Sequence, residues 1–219
     1  MFAEFDWKVV IDSLPHLWTG MQITLMLTVL AILGGIVIGT VLALLRLSRF
    51  TPLSFAAGSY VNFFRSMPLI LVIFWFYFLV PIIVGRPVGG FYSVLIAFVL
   101  FEAAYYCEII RAGIQSVRQG QVYAGQALGL TYRQNMRYVV LPQAFRNMVP
   151  ILLTQAIILF QDTSLVYVVG VKDFLVSADL IANRENRLIE MFTVVAGVYF
   201  ILCLSGSMFV KKLQRKYAL

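Results

Sequence analysis

The chain has 219 residues, of which 61% are hydrophobic and only 12% charged, with a mean hydropathy of +0.90. Water-soluble domains carry roughly a quarter charged residues, so this chain cannot cover a water-facing surface, and lipid must cover it instead. Its 17 Lys+Arg against 10 Asp+Glu give a net charge of +7. That balance suits anionic headgroups and cytoplasmic loops, and the membrane-length apolar runs between the basic residues argue against a nucleic-acid partner.

The residues before Trp18 include Glu4, Asp6 and Asp12 where a secretory signal has a basic start, and no small-residue cleavage site follows a short apolar core. The first apolar segment is therefore expected to persist. Three uncharged runs are long enough to span alone: Thr19 to Leu45 with 27 residues, and Ser66 to Gly85 and Met191 to Val210 with 20 each. Pro87 to Phe101 and Asn147 to Gln161 have 15 each, and each continues past one acid, Glu102 or Asp162. The expected fold is an all-α integral membrane protein, one transmembrane domain over 1–219. Its five helices are placed near 19–45, 55–84, 91–112, 148–170 and 190–210.

Charge sets the expected orientation. After the first span lie Arg46 and Arg49, after the third Arg111, Arg118, Arg133, Arg137 and Arg146, and after the fifth Lys211, Lys212, Arg215 and Lys216, with no acid among them. The other side has Lys8, Arg86, Lys172, Arg184 and Arg187 against Glu4, Asp6, Asp12, Asp173, Asp179, Glu185 and Glu190. The positive-inside rule puts the N-terminus outside and the C-terminus in the cytoplasm, as five spans require. Trp7 and Trp18 flank the outer end of span one and read as interface anchors.

Cys107 and Cys203 lie within spans and read as small packing residues, and His16, the only histidine, has no ligand cluster. Gly35-Ile-Val-Ile-Gly39 matches the close-packing pattern GxxxG but names no partner. Neither a phosphate-binding loop nor a Ser/His/Asp grouping is present, so energy, if used, comes from another chain.

The most informative segment joins spans three and four. Within 113–147, Val117, Gly120, Gln121, Ala124, Ala127 and Leu128 recur at helical spacing, and Gly129 can stop the helix. A second amphipathic stretch, Tyr132 to Val140, is expected to end before Pro142. The pattern suits either a basic helix resting on anionic lipid or a docking helix for a cytoplasmic protein.

That loop resembles the EAA signature of importer-type ABC transporter permeases: E-A-A, three residues, G, nine residues, I-x-L-P. Here Ala124, Gly129, Leu141 and Pro142 fall at its spacing, while Tyr123 stands for the acid, Gly125 for the second alanine and Val139 for the isoleucine. Tyr60 to Leu69, Glu102 to Ser116, Leu141 to Arg146 and Phe160 to Tyr167 resemble the polar amino-acid subfamily, most nearly the bacterial glutamate/aspartate import permeases. The resemblance implies a non-enzymatic inner-membrane subunit that pairs with a second permease chain, like or unlike. It also implies two ATP-binding subunits, which hold the ATP and magnesium, and a periplasmic binding protein; this chain binds no cofactor or metal of its own. Gln121, Tyr123, Ala124, Gly125, Ala127, Gly129, Leu141 and Pro142 would form the coupling surface. Glutamine or histidine is the alternative cargo, and a secondary transporter or channel subunit the alternative class.

Polar groups inside spans are costly and mark candidate pathways. Arg65 in span two and Gln161-Asp162-Thr163-Ser164 in span four are the candidates for the substrate path, Arg65 and Asp162 lying within roughly one turn in depth if both helices rise from the cytoplasm. A buried ion pair or helix cap is the plainer role for Arg65. Glu108 and Arg111, three apart, are expected to form a local salt bridge.

Overall fold

A computed structural model describes residues 5–86 and 88–217, the last two by backbone alone. Glu4 and the side chain of Lys216 lie outside the described residues. Every regular element described is helical. In order they are α1 (Trp7–Arg46), α2 (Thr51–Arg65), α3 (Leu69–Val84), α4 (Gly90–Gln115), α5 (Gln119–Ala127), α6 (Tyr132–Asn135), α7 (Leu141–Asp162), α8 (Phe174–Glu185) and α9 (Leu188–Tyr217). A π-helical turn, Met136–Val140, joins α6 to α7, and a 3-10 stretch, Thr163–Val169, follows α7.

Four helical runs are long and apolar enough to cross a membrane: α1, α4, the run Tyr132–Val169 and α9. The expected second span is not one helix. Pro68 offers no N–H and forces its predecessor out of helical backbone, so α2 stops at Arg65 and α3 starts at Leu69, with a bend of 105° between them. At 16 residues α3 alone rises about 24 Å, short of the ~30 Å hydrocarbon core, so the pair counts as one broken span or a re-entrant loop. The uncharged run concealed this because hydropathy does not register a missing donor. The spans also extend beyond their expected limits. α1 begins twelve residues before Thr19, α4 continues through Gly113 to Gln115, and α7 starts at Leu141 rather than 148.

The described residues fall into two compact units. The first comprises Met1–Leu33, Pro68–Val99 and Ala156–Ser207. Its core packs Val10, Leu17 and Met21 of α1 against Phe174, Ala178 and Ile181 of α8 and Met191 and Val195 of α9. Those spacings put one apolar stripe on each helix. Gly20 permits this approach, because a Cβ there would stand 2.6 Å from the Asp173 carbonyl oxygen and 2.8 Å from Ser177 Cβ.

The second unit comprises Gly34–Met67, Leu100–Gln155 and Met208–Leu219. Here the GxxxG pair finds its partner within the chain. A Cβ on Gly39 would meet Tyr106 Cβ at 2.8 Å and the Ala103 carbonyl oxygen at 2.9 Å, and one on Gly35 would meet Glu102 Cβ at 3.0 Å. Gly113 similarly lies against Met148 of α7, at 2.9 Å from its Cβ. Gly39→Leu should therefore cost about 1–3 kcal/mol through overpacking and lower the melting temperature of the detergent-solubilised chain. Gly197→Ala, whose Cβ would meet nothing within 4 Å, is the matched control and should leave it unchanged or raised. Equal melting of the two variants would refute the close-packing role.

Candidate functional site

The loop helix lies in the second unit. α5 ends in a Schellman turn: the Gly129 N–H donates to the Gln126 carbonyl at 2.9 Å and the Leu130 N–H to the Gly125 carbonyl at 3.1 Å, with Gly129 at φ +79. Gly129 stops the helix as its sequence position suggests. Thr131 then opens α6 with a capping box, the Gln134 N–H donating to its hydroxyl and the Gln134 side chain accepting from the Thr131 N–H. Gly125 has a packing reason of its own. A Cβ there would stand 2.9 Å from Cγ of Asn135, whose buried amide donates to the Val122 carbonyl at 2.8 Å. Val117, Val140 and Ala144 make a small core beneath.

Tyr132 to Val140 does not end before Pro142. The helix continues through it, because the π turn lets the Leu141 N–H reach back five residues to the Met136 carbonyl, and the Gln143 side chain donates to the Val139 carbonyl at 2.9 Å. Gln121, Tyr123, Ala124, Ala127, Leu141 and Pro142 are exposed, as are Leu128, Tyr132 and Tyr138. Tyr123, Leu128 and Tyr132 are 63%, 83% and 75% exposed, a large apolar surface for a segment this polar.

Arg65 closes α2, in the same unit. The expected local pair is present, Arg111 donating to Glu108 from Nη2 at 2.8 Å and from Nε at 3.4 Å. Glu108 does more than that pairing suggests, since Arg46 also ion-pairs with it and Arg65 approaches to 3.7 Å. Arg65 further stacks over the Tyr105 ring, 5.4 Å from its centroid. One carboxylate thus serves three guanidiniums, and Arg65 is the least committed and most exposed of them.

Gln161 to Ser164 belong to the first unit, where α7 tightens into 3-10 backbone. The Thr163 and Ser164 hydroxyls donate to the Phe160 and Gln161 carbonyls at 2.7 and 2.8 Å. Asp162 is half-buried and its side chain caps no backbone group, so its carboxylate remains available to accept. Gln161 is exposed and Thr163 buried.

Sequence reasoning missed three groups. Glu102, fully buried in α4, accepts from Gln155 of α7 at 3.1 Å on both oxygens, and Arg46 converges on Glu108. A lone polar residue in each apolar run was the available signal. The third is Asp173, buried between the 3-10 stretch and α8, outside the spanning helices. Its Oδ1 accepts from the Val176 N–H at 2.8 Å, capping α8, while Oδ2 meets no hydrogen-bond geometry with the described residues. Burial pushes this carboxyl up to about 6, against the lowering effect of the Val176 and Leu175 N–H groups and Thr24.

A raised carboxyl favours the neutral form in the folded chain, so the stability it confers is full below about pH 4 and is lost as pH rises through about 6. Thermal melting should therefore show roughly 1 kcal/mol less stability at pH 7.5 than at pH 5 from this group. Asp173→Asn keeps the cap and should flatten that slope; an unchanged slope would assign the pH dependence elsewhere.

Residues 35–219 match the family described as binding-protein-dependent transport system inner membrane component. The chain is 50% identical over 222 residues to the glutamate/aspartate import permease protein GltK of Escherichia coli O6:H1, covering 98% of this chain and 99% of that one. It is 31% identical to the glutamine transport system permease protein GlnP of Escherichia coli K12, covering 97% and 98%. A crystal structure of an amino acid ABC transporter with histidines superposes with a TM-score of 0.90 at 32% identity, covering 96% of this chain and 98% of that one. The chain belongs to the binding-protein-dependent transport system inner membrane component family. It is an inner-membrane permease of an amino-acid ABC importer, a membrane component that is not itself catalytic.

Proposed function

We propose that the chain carries glutamate and aspartate inward across the bacterial inner membrane, forming the path with a second permease chain. The observation that carries this reading is the 50% identity over nearly the whole chain to relatives named for those two substrates, against 31% for the glutamine permease GlnP. In the reading, a periplasmic binding protein delivers the amino acid to the N-terminal side and two ATP-binding subunits dock on the cytoplasmic side, as the charge asymmetry favours.

The path chemistry follows from the cargo. An acidic amino acid presents two carboxylates and one ammonium, so it needs donors and positive potential together with one acceptor. Arg65 can release a 3.7 Å contact without leaving Glu108 unneutralised, since Arg46 and Arg111 remain on it. Asp162 accepts from the ammonium, with Gln161, Thr163 and Ser164 supplying polar groups beside it. The α5 turn, from Gln121 through Tyr123, Ala124 and Ala127 to Gly129, docks with Leu141 and Pro142 on an ATP-binding subunit, while the buried Gly125 shapes the turn from within by its packing on Asn135. The exposed Tyr123, Leu128 and Tyr132 favour a protein surface there over water. Nucleotide-driven closure of those subunits then shifts the permease pair between inward- and outward-open states by differential binding.

The test is ATP-dependent uptake into vesicles reconstituted with the permease chains, ATP-binding subunits and binding protein, comparing glutamate, aspartate, glutamine, histidine and arginine. Glutamate and aspartate should enter fastest. Preference for arginine, histidine or glutamine would overturn the substrate, and uptake persisting without ATP would overturn the class of mechanism.

A further inference from the structure

A groove of about 450 Å³ opens in the first unit between α1 and α8. His16, Thr19 and Ile23 form one wall at helical spacing, while Ser177, Leu180 and Arg184 form the other, with Lys172 in the lining beside them. Two features set its chemistry. Three nitrogen-bearing side chains, His16, Lys172 and Arg184, gather around a lining that is otherwise mostly aliphatic. Among the described residues neither His16 nor Lys172 has an ion-pair partner. Arg184 pairs at 2.8 Å with the adjacent Glu185, both well exposed, a contact that water and salt weaken.

Asp179 accepts from the Asn183 amide at 3.1 Å, and Asp12 stands one turn before His16 on α1, outside the groove lining.

The groove's depth follows from α1. Its uncharged run begins at Thr19, and the exposed Trp7 and Trp18 bracket the His16 turn, as rings at a headgroup layer do. His16 therefore sits at the membrane boundary, with Ile23 about one turn deeper than Thr19. A free solute would find the cations but leave the aliphatic wall unused. A phosphodiester carrying an acyl chain uses both.

We propose that this groove binds the headgroup and upper acyl segment of an anionic phospholipid. The phosphate lies against Lys172 and His16, Arg184 exchanges Glu185 for it, and the chain runs along Ile23 and Leu180. The site is independent of the transported substrate and of the ATPase docking surface.

The experiment uses the full chain reconstituted in phosphatidylcholine membranes, with nitroxide-labelled phosphatidylglycerol or phosphatidylcholine as probe, reading the immobilised fraction of each. The unaltered chain should select phosphatidylglycerol. K172Q should lower that selectivity about fivefold, the effect of one cation near a headgroup. R86Q removes another exposed cation of the same unit, outside the groove lining, and should leave selectivity unchanged. Thr19→Trp fills the groove without altering charge and should lower selectivity as K172Q does. The proposal fails if the unaltered chain shows no preference, if R86Q acts as strongly as K172Q, or if Thr19→Trp has no effect. It fails also if soluble glycerol phosphate displaces the labelled lipid at equal concentration, which would make the site one for free phosphate. Cross-linking of two copies through Leu180→Cys would give the groove to a second chain and equally overturn it.

Discussion

Gly129→Asp should abolish ATP-driven uptake while leaving the chain folded and inserted. Gly129 sits at φ +79 in the turn that closes α5, and a Cβ there meets nothing within 4 Å. Inside the chain the only cost is the backbone conformation, about 1–2 kcal/mol for a side chain in that region and less for Asp, which tolerates it. In the proposed docking role the harm falls on the surface that meets the partner instead. An unpaired carboxylate pressed against a partner costs several kcal/mol, enough to weaken association with the ATP-binding subunits by about a hundredfold or more. Gly129→Ala shares the backbone cost without the charge and should retain most of the coupling. Co-purification and uptake measured side by side test this, and normal transport by Gly129→Asp would remove the docking role from the turn.

Asp162→Ala should lower glutamate uptake by about tenfold to a hundredfold, the loss of one charge-assisted hydrogen bond of ~1.5–3 kcal/mol. The fold should survive, because the Asp162 side chain caps no backbone group. Arg65→Ala should act in the same direction, again without unfolding, since Glu108 keeps Arg46 and Arg111. Retained yield and melting temperature alongside reduced uptake would locate both effects in transport. If both variants carry glutamate at the unaltered rate, neither residue belongs to the path.

The local features of this fold could be read from the sequence. Uncharged runs gave the middle of α1, α4 and α9, Gly129 gave the end of α5, and the three-residue spacing of Glu108 and Arg111 gave their ion pair. Each depends on neighbours within a turn or two. What escaped depends on distant partners: Gly39 beneath Tyr106, Gly125 beneath Asn135, Gln155 on Glu102 and Arg46 on Glu108. No periodicity records such meetings. The break at Ser66 to Pro68 escaped for another reason: Pro68 is apolar by hydropathy and disruptive by hydrogen bonding, and an uncharged run measures only the first.

The π turn at Met136–Val140 fits one residue more into the helix than α geometry would, within the unbroken run Tyr132–Val169. Each residue of an α-helix advances the rotation by about 100°, so deleting one residue there would let the turn relax to α geometry and keep the rod intact while turning α6 and the α5 turn around its axis. The direction in which the α5 turn points, relative to the start of α7 at Leu141, is therefore stored in a single inserted residue. Length changes in this stretch would act as a dial on aim rather than on stability.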